Sequence, residues 1–435
     1  MIPKLKRERQ IADQLTHRPL SFRAIRRQVN ASAVNRWALR GLNVLLFIAL
    51  FGDFLANEKP LYCVVEGRTW FPVAHQYLVD LGVARWETRF LTTDWDQQPY
   101  QRVIMPLIPY SAEGIDLTNS NYKSPFDRQN VSSWRFRHWL GTDQLGHDVA
   151  AGLVAGARTA ILVGLVAMSI AFIIGLFFGA VAGYFGDDRL RVSRAGLILV
   201  VIGFLLGLFW AFSSRSYQLS EGKLGLELIV SLLIFAGVIA AFYGVAALLK
   251  GLGIGRKKVL VPADNLVMRL IEIMNSIPAL LFILAALAVI KDRSIFYVMG
   301  IIGLLRWTGI ARFLRAELLR IRKMEYMEAT RALGYSHWQA ISRHAIPNGI
   351  GPVMIALAFG IAGAVLLEAY LSFLGIGLPP EAVSWGSMLN NVRSNFAAWW
   401  LALFPGLAIF ATVMIFNLLG ESLTEVLDPK SPSGN

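Results

Sequence analysis

Residues able to do chemistry are sparse in this chain, and their spacings exclude more than they permit. Asp143 and Asp148 stand five apart in Gly141-Thr142-Asp143-Gln144-Leu145-Gly146-His147-Asp148. Two carboxylates could begin a metal site, but no further acidic cluster accompanies them. Capping of the helix that follows is the better use. Gly251, Gly253 and Gly255 have the look of a phosphate loop. The G-x-G-x-x-G spacing is absent, no strand precedes them, and no Gly-x4-Gly-Lys-Ser/Thr run occurs anywhere. The chain is therefore not expected to bind and hydrolyse ATP by itself. His17, His75, His138, His147, His337 and His344 make no HExxH or similar pattern, and Cys63 stands alone. A lone thiol makes neither an internal disulfide nor a cysteine metal site. The expectation is no catalytic residues, no metal and no bound cofactor.

A docking chemistry is better supplied. In the segment Glu325 to Gln339, residues 316–333 favour helix and Gly334 offers the left-handed residue that ends one. Ser336 with Gln339 makes a capping box for a second short helix, which must finish before Pro347. Asn348 can then cap the helix after it. Ala329 and Ala332 allow close approach, and Glu328 offers a charge. Met324, Met327 and Trp338 would be awkward in a solvated loop, and an apolar patch rimmed by charge marks a partner site. The competing reading is an interfacial helix lying on lipid headgroups.

These residues need elements to hold them. Of 435 residues, 55% are hydrophobic and only 16% charged, against about a quarter charged in ordinary soluble domains. The apolar residues come in blocks at 41–56, 159–182, 193–212, 226–248, 265–290, 295–314, 349–371 and 398–419. Each approaches or exceeds the ~20 residues that span a bilayer as helix. The net charge of +13 invites a nucleic-acid reading, but its distribution follows membrane topology. Basic residues crowd the arm at 1–40, where Lys4, Lys6, Arg7, Arg9, Arg23, Arg26, Arg27, Arg36 and Arg40 lie, and alternate loops. Those loops carry Arg189, Arg191 and Arg194; Lys250, Arg256, Lys257 and Lys258; and Arg312 through Arg343. The opposite loops carry only Arg215 and Lys223, Lys291 and Arg293, and Arg393. That bias predicts both termini in the cytoplasm. The basic arm is longer than a secretory n-region, which argues against a cleavable leader.

Charges inside spans are costly and count as functional candidates. Glu272 is explained by an i, i+3 pair with Arg269. Arg306 invites an acid on a neighbouring helix, and Glu368 lies near Ser372 towards the outer end of its span. Gly375, Gly377, Pro379 and Pro380 form a break after that span, either a structural turn or a mobile outer gate. Arg306, Glu368, Ser372, Gly375 and Pro379 are thus the candidate pathway residues.

Several motifs resemble one family. Glu328-Ala329-Thr330, then Gly334, then Ile346-Pro347, resembles the EAA loop of ABC importer permeases, with Thr330 for the second Ala, His344 for Ile and Ile346 for Leu. Gly141–Asp148 resembles the GTDxLGRD box, with His147 for Arg. Glu368-Ala369-Tyr370-Leu371-Ser372-Phe373-Leu374-Gly375 with Pro379-Pro380 and Ser384-Trp385-Gly386 resembles the EASLSFLG…PP…SWG stretch. Phe404-Pro405-Gly406, Asn417-Leu418-Leu419-Gly420 and Leu427-Asp428-Pro429 resemble the C-terminal end. The similarity to dipeptide/oligopeptide permeases of the DppC/OppC type covers most of 134–189 and 260–430. Ala56–Pro60, Trp70–Val73 and Ile108–Ser111 resemble the Yej-type subgroup.

The resemblance implies an all-α integral membrane protein of MetI-like fold, with about eight transmembrane helices, six core and two inserted. It divides the chain into a cytoplasmic arm (1–40), a first span (41–56), an extracytoplasmic insert (57–157), a second core span (158–189), an inserted pair (190–259), core helices (260–420) and a cytoplasmic tail (421–435). A coupling loop at 315–347 would seat in an ATPase through Glu325, Glu328, Ala329, Thr330, Ala332, Gly334, Trp338, Ile346 and Pro347. The implied partners are a second homologous permease, two ABC ATPases that carry the ATP and Mg, an extracytoplasmic peptide-binding protein and membrane lipid, with no nucleic acid. The implied role is peptide import across a bacterial inner membrane. An ion-driven secondary transporter is the alternative, disfavoured by the scarcity of intramembrane acids.

Overall fold

The computed structural model describes residues 32–427, apart from 93, 94, 96, 97, 216, 219–223, 254–256, 290–293, 378, 380 and 381. Most of the basic arm, Pro380 and the end of the tail lie outside the described residues. Helix dominates because the apolar blocks leave the backbone no other partner in lipid. Seven described helices are long and apolar enough to cross a membrane, or eight if one bent pair counts as a span. They are α1 (Ala33–Leu55), α4 (Val149–Ala180, extended by a π turn over Val181–Phe185), α5 (Arg194–Leu208), α6 (Leu224–Gly251), α9 (Ile295–Ile321), α13 (Gly351–Phe373) and α15 (Trp399–Leu427). The bent pair is α7 (Ala263–Ser276) and α8 (Ala279–Val289), turned by 80°.

Several boundaries differ from the sequence reading. The first span begins at Ala33 rather than 41 and continues past Asp53, whose carboxylate pairs with Arg158 of α4 at 2.7 Å. The second begins at Val149, inside the expected insert, where Asp148 caps it by accepting the Ala151 N–H at 2.7 Å. The single span expected at 265–290 is broken because Pro278 has no N–H to donate and pushes Ile277 out of helical geometry, to ψ 123°.

The chain forms two compact units: 1–172 with 293–306 and 351–435, and 173–292 with 307–350. In the first, α1, α13 and α15 pack around α14 (Trp385–Asn391) and the beginning of α4. The shared core includes Leu45, Ile161, Val365, Trp385 and Leu401. The insert is a folded element on this unit. A three-stranded antiparallel sheet, order β2 (Arg68–Trp70), β1 (Tyr62–Val65), β3 (Tyr100–Ile104), carries α2 (Pro72–Asp80) and α3 (Thr88–Thr92). Cys63 and Val65 are fully buried on β1, and Trp70, Trp86, Phe90 and Trp95 form a connected aromatic cluster. Burial pushes the Cys63 thiol up to about 11, so the cysteine is inert packing.

In the second unit the inserted pair α5 and α6 forms a hairpin. Its base is tied by β4 (Arg191–Ser193) pairing with β5 (Lys258–Leu260). Gly203 and Gly207 let α5 close on Phe242 and Phe235 of α6. Gly175, Gly179 and Gly183 sit four apart and bring the end of α4 onto the 310–318 face of α9. Small residues at this spacing allow backbones to approach closely in lipid. A Cβ at Gly179 would stand 2.8 Å from the Ala311 carbonyl oxygen. Gly179→Val is therefore expected to cost on the order of 1–3 kcal/mol by overpacking. A lowered thermal midpoint of the detergent-solubilised protein would register it, and an unchanged midpoint would refute the contact.

Candidate functional site

The second unit carries the loop that the sequence marked for docking. After Ile321 the long helix α9 stops, and α10 (Glu325–Ala332) starts from an extended Met324. The sequence expected one continuous helix over 316–333; Arg322, Lys323 and Met324 instead form a turn. Met327 is fully buried and Thr330 nearly so, while Glu325, Glu328, Ala329 and Ala332 are exposed. Positions 325, 328, 329 and 332 share one helical face. Met327, expected in an exposed docking patch, is instead the buried anchor of the loop. Leu333 at 75% and Trp338 at 73% are the most exposed large apolar side chains of the loop, with Tyr326 and Tyr335 exposed to a lesser degree.

The turn after α10 is over-determined. Gly334 has φ +80°, its N–H donates to the Arg331 carbonyl at 3.0 Å, and the Tyr335 N–H donates to the Thr330 carbonyl at 3.1 Å. These two bonds make a Schellman motif, which requires the left-handed residue that glycine supplies without strain. The capping box is present as expected. Ser336 Oγ accepts the Gln339 N–H at 3.3 Å, and Gln339 Oε1 accepts the Ser336 N–H at 3.0 Å. That box opens α11 (His337–Ala340). Pro347 falls in the first turn of α12 (Ile346–Gly349), where a missing N–H costs nothing. Asn348 does not cap α13; its Nδ2 donates back to the His344 carbonyl at 2.7 Å. Ile346 is half-buried and Pro347 exposed.

Three ties hold the loop to its own unit. Tyr184 hydroxyl and His337 Nδ1 are 3.2 Å apart, and Phe185 packs edge-on to the His337 ring. Arg322 Nη1 donates to Asp188 at 2.9 Å and to the Phe185 carbonyl at 3.3 Å. Arg331 Nη2 donates to the Arg322 carbonyl at 3.1 Å. Sequence reasoning missed these ties. A helical wheel over 324–332 would have put Met327 and Thr330 on the face opposite the exposed stripe. The result is a tied-down surface that offers carboxylates, small residues and one indole.

The candidate pathway residues lie apart from this loop in sequence and belong to the first unit. Arg306 finds no carboxylate among the described residues; Nη2 donates to the Gly363 carbonyl at 3.2 Å, and the acid expected to pair with it is absent there. Glu368 is buried and accepts the Ser372 hydroxyl at 2.6 Å. Gly375, at φ +75°, ends α13 in a second Schellman turn, with the Ile376 N–H on the Leu371 carbonyl at 3.0 Å. Pro379 is half-buried and accepts the Ala382 N–H at 3.0 Å. The Arg269–Glu272 pair forms as expected, at 2.7 Å. No described cluster of three or more His, Cys, Asp or Glu could hold a metal.

Comparison with known proteins reads the same way. Residues 234–431 match the family of binding-protein-dependent transport system inner membrane components, a range that includes α10 and its turn. Among its relatives is the peptidoglycan transport system permease protein YejE of Agrobacterium fabrum, 26% identical over 431 residues, covering 93% of this chain and 92% of that one. The dipeptide transport system permease protein DppC of Bacillus subtilis is 27% identical over 331 residues, 75% of this chain and 77% of the relative. The glutathione transport system permease protein GsiD of Pectobacterium atrosepticum is 26% identical over 328 residues, 75% and 81%. This chain is a transmembrane permease. The permease has the MetI-like fold and is the multi-pass membrane subunit of an ABC importer. An ion-gradient-driven carrier is not favoured.

Proposed function

We propose that this permease moves peptides or peptide-like compounds into the cytoplasm across a bacterial inner membrane. It acts beside a second homologous permease, above two ATPases that bind the ATP and Mg, and below an extracytoplasmic peptide-binding protein. This chain then binds no cofactor and carries no catalytic residue. The positive-inside bias supports a cytoplasmic side for both termini and the 315–347 loop. The observation that carries the reading is the exposed stripe Glu325, Glu328, Ala329 and Ala332, continued by Leu333 and Trp338 and held by buried Met327. An exposed apolar and small-residue surface on a fixed turn fits a protein groove. The names of the relatives support peptide cargo.

Arg306, Glu368, Ser372, Gly375 and Pro379 are the pathway and gate positions of this proposal. Arg306 stands midway along a membrane helix without an acid among the described residues. Such a charge faces water or a partner rather than lipid. In this proposal the inserted hairpin α5–α6 is a peripheral, lipid-facing addition, a reading supported by the 6% burial of its second helix over its most apolar stretch.

The direct check is purification from gently solubilised membranes, followed by reconstitution in vesicles. An ABC ATPase and a second permease should co-purify, and labelled peptide should enter the vesicles only with ATP. A chain that purifies alone, with uptake that needs no ATP and stops with an ionophore, would overturn the reading.

A further inference from the structure

A second feature of the coupling unit is a group of guanidinium donors that its own fold leaves unanswered. Arg189 follows the π turn that ends the α4 span, and Arg322 and Arg331 flank the start and end of α10. Arg322 and Arg331 are linked through the bond from Arg331 Nη2 to the Arg322 carbonyl. Asp188 takes Arg322 Nη1 at 2.9 Å. Two donors remain: Arg189 Nη1 and Arg322 Nε are buried and have no hydrogen-bond partner. Buried donors without partners are costly, and charged ones more so.

The charge balance points the same way. Burial, then the nearby Arg331 and Arg322, hold the Arg189 guanidinium below its ordinary value. Asp188 is the carboxylate that acts on Arg189, and it is already held by Arg322 Nη1; the acids nearby in sequence or on the neighbouring helix are engaged elsewhere. Asp187 accepts the Asn265 N–H at 3.0 Å, and Asp264 pairs with Arg315 at 2.6 Å through one of two bonds. Exposed Arg191, Arg194, Lys257 and Lys258 on the β4–β5 ribbon add further positive charge to the same unit. The apolar block of α4 closes at 182, so Arg189 follows it by seven residues, and its long side chain can reach the headgroup layer of a bilayer that this block crosses. Basic pockets at this level on the cytoplasmic side suit lipid phosphates, where anionic lipid concentrates.

We propose that Arg189, Arg322 and Arg331 form a phosphate-binding site at the root of the coupling loop, occupied by the headgroup of an anionic phospholipid. Guanidinium groups match phosphate through paired N–H donors. Occupancy bridges the end of α4 to the turn before α10 and so stiffens the element that the ATPase moves. The proposal goes beyond peptide import and does not depend on the cargo.

The test uses the intact, delipidated transporter in detergent, titrated with short-chain phosphatidylglycerol, short-chain phosphatidylcholine or inorganic phosphate at matched ionic strength. The thermal midpoint and native mass spectrometry are the readouts. Phosphatidylglycerol should raise the midpoint saturably and remain bound in the mass spectrum, while phosphatidylcholine should not. Arg189→Gln should weaken that titration about tenfold, the scale of one charged hydrogen bond. Arg189→Lys keeps the charge without the fork and should weaken it less, so the comparison survives if the Gln variant folds poorly. An equal response to inorganic phosphate, lost in the same variants, would keep the site and assign it to a soluble anion. Wild type and both variants titrating alike, or no saturable response to either phosphate probe, would overturn the site.

Discussion

Ala329→Trp in the permease should cut ATP-dependent peptide uptake by at least about thirtyfold while leaving the thermal midpoint of the detergent-solubilised protein unchanged. Ala329 is exposed in the middle of the stripe formed by Glu325, Glu328 and Ala332, and its small side chain sets how closely a groove can approach. An indole there has room in the isolated chain and none against a fitted partner. Disruption of a central interface position costs about 2 kcal/mol or more, which is roughly thirtyfold in association. Glu328→Lys should act in the same direction by reversing a charge on the same face.

Met327→Ala is the informative contrast. Met327 is fully buried, so the substitution should remove about 2–5 kcal/mol of stability and lower the midpoint. If Ala329→Trp and Met327→Ala both lower the midpoint equally, the stripe is packing and the docking account fails. If Ala329→Trp transports normally, the partner does not seat there.

The legible part of this site was the part made by neighbours in sequence. Ser336 and Gln339 are three apart, and Gly334 follows a helix-favouring run, so the capping box and the left-handed stop needed no knowledge of the fold. The membrane spans were legible for a similar reason, because about 20 apolar residues in a row have one stable use in lipid. The pieces that failed depend on contacts from elsewhere. Met327 looked exposed because the loop reads as solvated until its packing within the unit is known. Arg322 is held by Asp188, 134 positions away, and that tie accompanies the break that separates α9 from α10. Pro278 did carry a local sign of the 80° bend, but a count of apolar residues across 265–290 passes over it. The insert was the least legible. Its central strand pairs Cys63 with Val103, a register that no local pattern of period two fixes between such short strands.

The same insert holds the second large effect, centred on His138. This side chain is fully buried; Nδ1 lies 2.8 Å from Asp148 Oδ2 and Nε2 lies 3.2 Å from Asp116 Oδ2. Tyr110 stacks on the ring at 4.2 Å between centroids and donates its hydroxyl to the Phe136 carbonyl. Two carboxylates on two ring nitrogens are both satisfied only if both nitrogens carry protons. Burial alone would lower the His138 pKa, but the bonds and charges of Asp148 and Asp116 outweigh it, and the net shift is upward. Burial raises Asp116, while bonds from Thr118, Asn119 and His138 bring it down to about 2. The signs then fix the pH window. A histidine raised above about 6.5 contributes stability that is fully present below that value and is lost as pH rises through its folded pKa. Asp116 contributes above about 3.8 and loses its share only as pH falls towards about 2. Thermal midpoints should therefore hold near pH 6 and decline on the alkaline side. His138→Ala leaves Asp148, which caps α4, without its cationic partner in a buried site. The expected loss is about 3–5 kcal/mol at pH 6, narrowing as pH rises. Because Asp148 is the residue on which α4 begins, the loss should spread from the insert into the start of α4. Native-state hydrogen exchange at the 149–152 amides would then quicken together with those of 138–148. A variant equally stable at pH 6 and 9, with exchange confined to the insert, would show that the imidazolium does not bind the insert to the span.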